Sequence, residues 1–135
     1  MREPEQTVDE LVSALCQAGQ VLNEHRAALL RTDGWSSVAS RLELSEWHAR
    51  DGRRLEVYCD LDGELAGVGH VGWIVDVLRD GEGWLVERRL NLNRQPSEVE
   101  TLAELPPQTC RDSGELARLL VPLVRELLAV AAPEP

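Results

Sequence analysis

The chain contains no lysine and no phenylalanine, Ile74 is its single isoleucine, and aromatic residues make up only 4% of it. All 14 cationic residues are therefore arginine, a usage that GC-rich codons favour. It excludes Schiff-base chemistry and the P-loop phosphate lysine, both of which need a side-chain amine or ammonium. Cysteine is scarce: Cys16, Cys59 and Cys110 lie far apart, a spacing that suits reduced thiols and gives neither a disulfide framework nor a paired-cysteine zinc site. The longest strongly apolar run, Leu119 to Val124, falls far short of the ~20 residues a membrane helix needs. The polar start Met1-Arg2-Glu3-Pro4-Glu5-Gln6 has no apolar stretch of the signal-peptide kind, so a cytoplasmic location is expected. Cations are also outnumbered, 14 against 24 acids for a net charge of -10. A grip on nucleic acid needs a cationic footprint and is not expected.

What is present is enough for one core. A length of 135 residues with 43% apolar content is read as one domain over 1–135, with 1–6 and 132–135 as flexible tails. Thr7-Val8-Asp9-Glu10 is a capping box, and Val8, Leu11, Leu15, Ala18, Leu22, His25 and Leu29 follow at helical spacing, predicting a helix from Thr7 to Arg31. Asp112-Ser113-Gly114-Glu115 opens a second helix, Leu116 to Val130, with a kink or break expected at Pro122.

Between them lie four strand candidates. Val38, Leu42 and Leu44 alternate with Arg41, Glu43 and Ser45, and Leu55, Val57, Cys59 and Leu61 answer them across an Asp51-Gly52 turn. Pairing Arg50 with Arg53 around that turn sets Leu44 opposite Cys59, Leu42 opposite Leu61 and Glu43 opposite Asp60. A second hairpin turns at Asp80-Gly81-Glu82-Gly83 and puts Val71, Trp73, Val75 and Val77 on one face with Trp84, Val86, Leu90 and Leu92. The stretch from Asn93 to Arg111, with Pro96 and the Pro106-Pro107 pair, reads as a long surface connection. The expected fold is α+β: a two-layer sandwich of a four-stranded antiparallel meander with N- and C-terminal helices, in the order α-β-β-β-β-α. In architecture alone this order resembles small bacterial secretion chaperones and immunity proteins; no motif is shared with them.

Candidate chemistry is sparse. Gly67-Val68-Gly69-His70-Val71-Gly72 matches the dinucleotide-binding fingerprint, but β-branched residues follow it where that motif requires a helix, so it reads as a connection between hairpins. Asp60-Leu61-Asp62-Gly63-Glu64 resembles the start of a calcium loop, but the twelfth position holds Val71 in place of the bidentate Glu, and an acidic turn is expected. His25, His48 and His70 sit at no ligand spacing to each other or to cysteine. A His48–Cys59 nucleophile pair lacks the electropositive setting a reactive thiol needs. No catalytic residue, metal site or cofactor is expected.

These readings favour a non-enzymatic acidic module, chaperone- or immunity-like, that covers a basic protein partner. Its binding residues are expected on the outer face of the first hairpin: Glu43, Trp47, Glu56, Tyr58 and Asp60. There the opposed Glu43 and Asp60 would destabilise the strand pair without a cation between them, and Trp and Tyr are common interface anchors. Val12, Val21 and Leu30 widen the first helix's stripe beyond what one small sheet covers, so a C2 homodimer is expected. The alternative is a small-ligand binder or enzyme with its pocket between helices and sheet.

Overall fold

Alternation of apolar with polar residues builds the core directly. Val57, Cys59 and Leu61, then Val71, Trp73, Val75 and Val77, then Trp84, Val86, Leu90 and Leu92 are each at most 5% exposed and share one sheet face. In the computed structural model the described residues are 4–49, 52–95 and 98–134, with side chains described for 8–46, 55–95 and 98–134. The elements are helix α1 (Pro4–Leu30), strands β1 (Trp35–Ala49), β2 (Gly52–Leu65), β3 (Gly69–Asp80), β4 (Gly83–Gln95) and β5 (Glu98–Cys110), and helix α2 (Ser113–Leu128). The strands form one antiparallel meander in the order β1-β2-β3-β4-β5. Both helices lie on its apolar face, α1 against β1 and α2, and α2 against β3, β4 and β5. The α+β layering is as expected.

The sheet has five strands, not four. The expected surface connection after Asn93 is β5, an edge strand, and its prolines explain how it forms. Gln108 pairs with Val86 and Leu105 with Arg88, so Pro106 and Pro107 fall in the register shift between those pairs. A residue without an N–H is tolerated where the ladder is already interrupted and on an edge. The Pro106 carbonyl accepts instead from Arg88 Nη2 at 3.2 Å. Arg88 is only 4% exposed, and its Nη1 donates to the Leu123 carbonyl at 3.2 Å.

Two helix expectations need correction. α1 is already helical at Pro4, before the Thr7 cap, and α2 runs through Pro122 without a break. Proline costs a helix interior about 3 kcal/mol. Leu116, Leu120, Leu123, Val124, Leu127 and Leu128 are all buried on both sides of it, each contributing about 1.5–3 kcal/mol, and together they hold the helix on the sheet. The expected cap is present, Glu115 N–H donating to Asp112 Oδ1 at 2.8 Å. Of the three residues expected to widen the α1 stripe, Val21 is 3% exposed and belongs to the core, while Val12 and Leu30 are half exposed.

The first hairpin is shifted by two residues from the expected register. Ala49 pairs with Gly52, so Leu42 faces Cys59, Leu44 faces Val57, Glu43 faces Tyr58 and Arg41 faces Asp60. A shift of two preserves which face every side chain takes, because the strand period is two. It changes every cross-strand partner.

Candidate functional site on the helix-free sheet face

The face opposite the helices carries the charge. Asp60, Asp62 and Glu64 alternate along β2 with Leu61, Gly63 and Leu65, so the expected acidic turn at 60–64 is the continuation of the strand. Its three carboxylates project to the helix-free side. Among them Asp60 is only 3% exposed although no helix covers it; its cross-strand and same-strand neighbours enclose it.

Register supplies the enclosure. Arg41, directly opposite Asp60, donates from Nη2 to Oδ2 at 2.7 Å and from Nε to Oδ1 at 3.2 Å, a bidentate pair. The Tyr58 hydroxyl, two residues back on the same face, donates to Oδ2 at 3.2 Å, and the Arg41 guanidinium lies 5.7 Å from the Tyr58 ring centroid. Burial first, then the Asp60 charge, pushes the Tyr58 hydroxyl up to about 12. The neighbouring Asp62 carboxyl is raised by burial, and then by the Asp60 charge and a hydrogen bond with it. His70 sits across from Glu64, with Nδ1 2.9 Å from Glu64 Oε1 and Nε2 3.2 Å from Asp62 Oδ1.

The cluster continues onto β3 and β4. Arg89 Nη1 donates to Asp76 Oδ2 at 3.0 Å. Asp76 Oδ1 and Asn91 Oδ1, both buried atoms, accept no hydrogen bond among the described residues. Arg41, Tyr58, Asp60, Asp62, His70 and Asn91 line a shallow cleft of about 200 Å³, floored by Gly72 and Ile74. Chemically it is a set of carboxylates held by Arg41, Tyr58 and His70, with the unmatched Asn91 Oδ1 buried in its wall and the unmatched Asp76 Oδ1 outside its lining. Among the described residues no group of His, Cys, Asp and Glu is arranged to hold a metal ion.

Of the residues expected to bind a partner, Glu43, Glu56, Tyr58 and Asp60 share this helix-free face. Glu43 is exposed, Glu56 and Tyr58 are half buried, and Asp60 is buried. The side chain of Trp47 lies outside the described residues; its backbone pairs with Arg54. The opposition of Glu43 to Asp60 is not found. Asp60 faces a cation, Glu43 faces a tyrosine, and the repulsion once expected there does not arise. Sequence reasoning missed Arg41, Asp62, His70, Asp76 and Asn91. The signal was available in the strict polar–apolar alternation from Asp60 to Leu65, which is a strand pattern.

Elsewhere, Cys59 is wholly buried on the opposite face, and burial and then the Asp60 charge push its thiol up to about 12. Such a thiol is not a nucleophile at neutral pH. A pocket of about 190 Å³ between helices and sheet is lined by His25, Leu29, Trp35, Leu61, Trp73 and Val130. Trp73 Nε1 donates to the Val130 carbonyl at 3.0 Å there, and Trp35 packs on Trp73 with centroids 5.7 Å apart. Comparison of the chain with protein-family models, with curated proteins and with solved structures finds no match.

Proposed function

We propose that the chain is a non-enzymatic protein-binding module, chaperone- or immunity-like in role, that covers a basic partner with the helix-free face of its sheet. The observation carrying this reading is the surplus of acceptors on that face. Asp60 is buried and held, Asp62 is packed beside it, and among the described residues Asp76 Oδ1 and Asn91 Oδ1 have no donor. A buried acceptor left unmatched costs about 1–3 kcal/mol; a guanidinium or ammonium from a partner would remove that cost only where the side chains around it part to admit the donor, whereas the exposed Glu43 and Glu64 meet a basic surface directly. The net charge of -10 would speed the approach of a basic surface, in a salt-dependent way.

The test compares positions at equal net charge. Glu43→Arg with Glu64→Arg changes the face, whereas Asp9→Arg with Glu24→Arg makes the same change in net charge on α1. Binding of a short arginine-rich peptide is measured for both by calorimetry at low and moderate salt. The face variant is expected to lose at least about tenfold more affinity, as several kT of local potential predicts. Equal losses would mean that the peptide reads only total charge, and would refute the assignment.

A second reading, a small apolar ligand in the pocket beside Trp35 and Trp73, is favoured by that pocket's mostly apolar lining. Concentration-dependent thermal stabilisation by a small aromatic probe, lost in Leu61→Trp, is its expected signature.

A further inference from the structure

The two edges of the open sheet are unlike each other. An exposed edge strand offers unpaired N–H and C=O groups to any extended chain, and proteins blunt such edges with lysine, proline, bulges or a covering helix. β5 is blunted: it carries Pro106 and Pro107, three register shifts, and Glu98, Glu100 and Glu104. β1 has no proline, its register shift is confined to the start of the strand between Ser36 and Ala39, and the chain has no lysine to give it.

Helix α1 covers only the first part of β1. Arg26 Nε donates to the Val38 carbonyl at 3.2 Å, Ser40 Oγ donates to Asn23 Oδ1 at 2.6 Å, and a Cβ on Gly19 would lie 4.0 Å from Leu42 Cδ1. The helix therefore runs antiparallel along the edge, and the sequence 26, 23, 19 steps back along one helical stripe. Its next members include Val12 and Val8, which are 53% and 59% exposed, and the strand beyond Leu42 presents Leu44, 67% exposed. From Leu42 to Glu46 the pairing with β2 is regular. Among the described residues, no side chain bonds the main chain from 42 to 45. What is left from Leu42 to Glu46 is an edge in regular register, without proline or bulge, with the exposed Leu44 on one side of it and Glu43 on the other.

We infer that the β1 edge from Leu42 to Glu46 receives an extended segment of a partner protein as a sixth strand, in which basic and apolar residues alternate. The period of two dictates that pattern. Apolar side chains of the added strand lie over Leu44 against Val12 and Val8, and basic ones lie beside Glu43 on the helix-free face. Main-chain hydrogen bonds supply affinity and the alternate side chains supply selectivity, as in other cases of strand addition. A second copy of this chain is a poor occupant, since each copy carries a charge of -10 and places Glu43 on the same edge. The inference rests on the proposed function for the partner's charge, and on the edge alone for its conformation.

The probe is a short blocked peptide of alternating Arg and Val, together with the same peptide N-methylated at every second amide. N-methylation removes edge donors and leaves the charge intact. Expected results are hydrogen-exchange protection gained at 42–46 on binding the plain peptide, and at least about tenfold weaker binding of the N-methylated one, the effect of several lost hydrogen bonds. Leu44→Ser, at an exposed position that folding does not need, should weaken the plain peptide several-fold. Equal binding of both peptides, with both weakened by Glu43→Arg, would overturn strand addition and leave the charge reading standing. Strand addition insensitive to Glu43→Arg would keep the edge and sink the basic partner. Protection of 42–46 through self-association without peptide, seen by sedimentation, would overturn the proposed occupant.

Discussion

Replacing Arg41 by Gln should destabilise the protein more than replacing Asp60 by Asn, although both changes break the same ion pair. The two partners sit in different surroundings, Asp60 3% exposed and Arg41 52%. With charge centres ~4 Å apart and an effective dielectric of ~20, the attraction is about 4 kcal/mol. Water around the guanidinium draws this toward the 0.2–1 kcal/mol of exposed pairs, leaving a coupling of roughly 1.5–2.5 kcal/mol. Arg41→Gln then strands a buried carboxylate beside Asp62 with the Tyr58 hydroxyl as its remaining neutral donor, for a loss of about 2–4 kcal/mol. Asp60→Asn leaves a guanidinium that can turn to water and relieves Asp62 of a neighbouring charge, for a loss of about 1–2 kcal/mol. Urea unfolding at pH 7 of the wild type, both single variants and the double variant closes the cycle. A coupling below about 0.5 kcal/mol, or an Asp60→Asn loss exceeding that of Arg41→Gln, would refute the account of the cleft as a held carboxylate pair.

Two further outcomes follow from the same structure. Asp62 has its folded-state carboxyl raised by burial and then by Asp60, so its contribution to stability is fully present below the unfolded value of ~3.9 and is lost as pH rises through the folded one. Asn mimics the protonated form, so Asp62→Asn should raise the melting temperature at pH 7 and change it little near pH 3; a fall at pH 7 contradicts the assignment. Pro122 is exposed inside a continuous helix, so Pro122→Ala restores a helical N–H and should gain about 2–3 kcal/mol in urea unfolding, the helix-interior cost of proline less the freedom the unfolded chain regains; a loss would mean that the proline shapes α2 in a way its packing does not show.

The inner face was legible because its signal is redundant. Val71, Trp73, Val75 and Val77, with Trp84, Val86, Leu90 and Leu92, each point the same way under a period of two, and any even-length turn keeps them together. β5 was not legible for the converse reason. Its pattern is broken by three register shifts and two prolines, and these are the features that keep an edge from pairing further. Proline and charge read as loop signals in a sequence, yet here they mark a strand with one side left open. A break at Pro122 did not follow, since local propensity was outweighed by six buried side chains on α2.

The cleft was legible as a face and not as a set of contacts. Its members come from β1, β2, β3 and β4, and each contact depends on a register rather than on a spacing along the chain. In the expected register of the first hairpin, Glu43 meets Asp60; in the observed one Arg41 meets Asp60 and Glu43 meets Tyr58. Both place the same residues on the same faces, so apolar patterning cannot choose between them. Charge can: directly opposed like charges cost a strand pair about 0.2–1 kcal/mol and opposed unlike charges contribute as much. Scoring the two registers by their cross-strand charges would have selected the observed one. The repulsion that first suggested a basic partner was thus an argument against its own register. What is offered for the partner now is independent of it, namely acceptors at Asp76 and Asn91 without donors among the described residues and an edge at Leu42 to Glu46 paired in regular register.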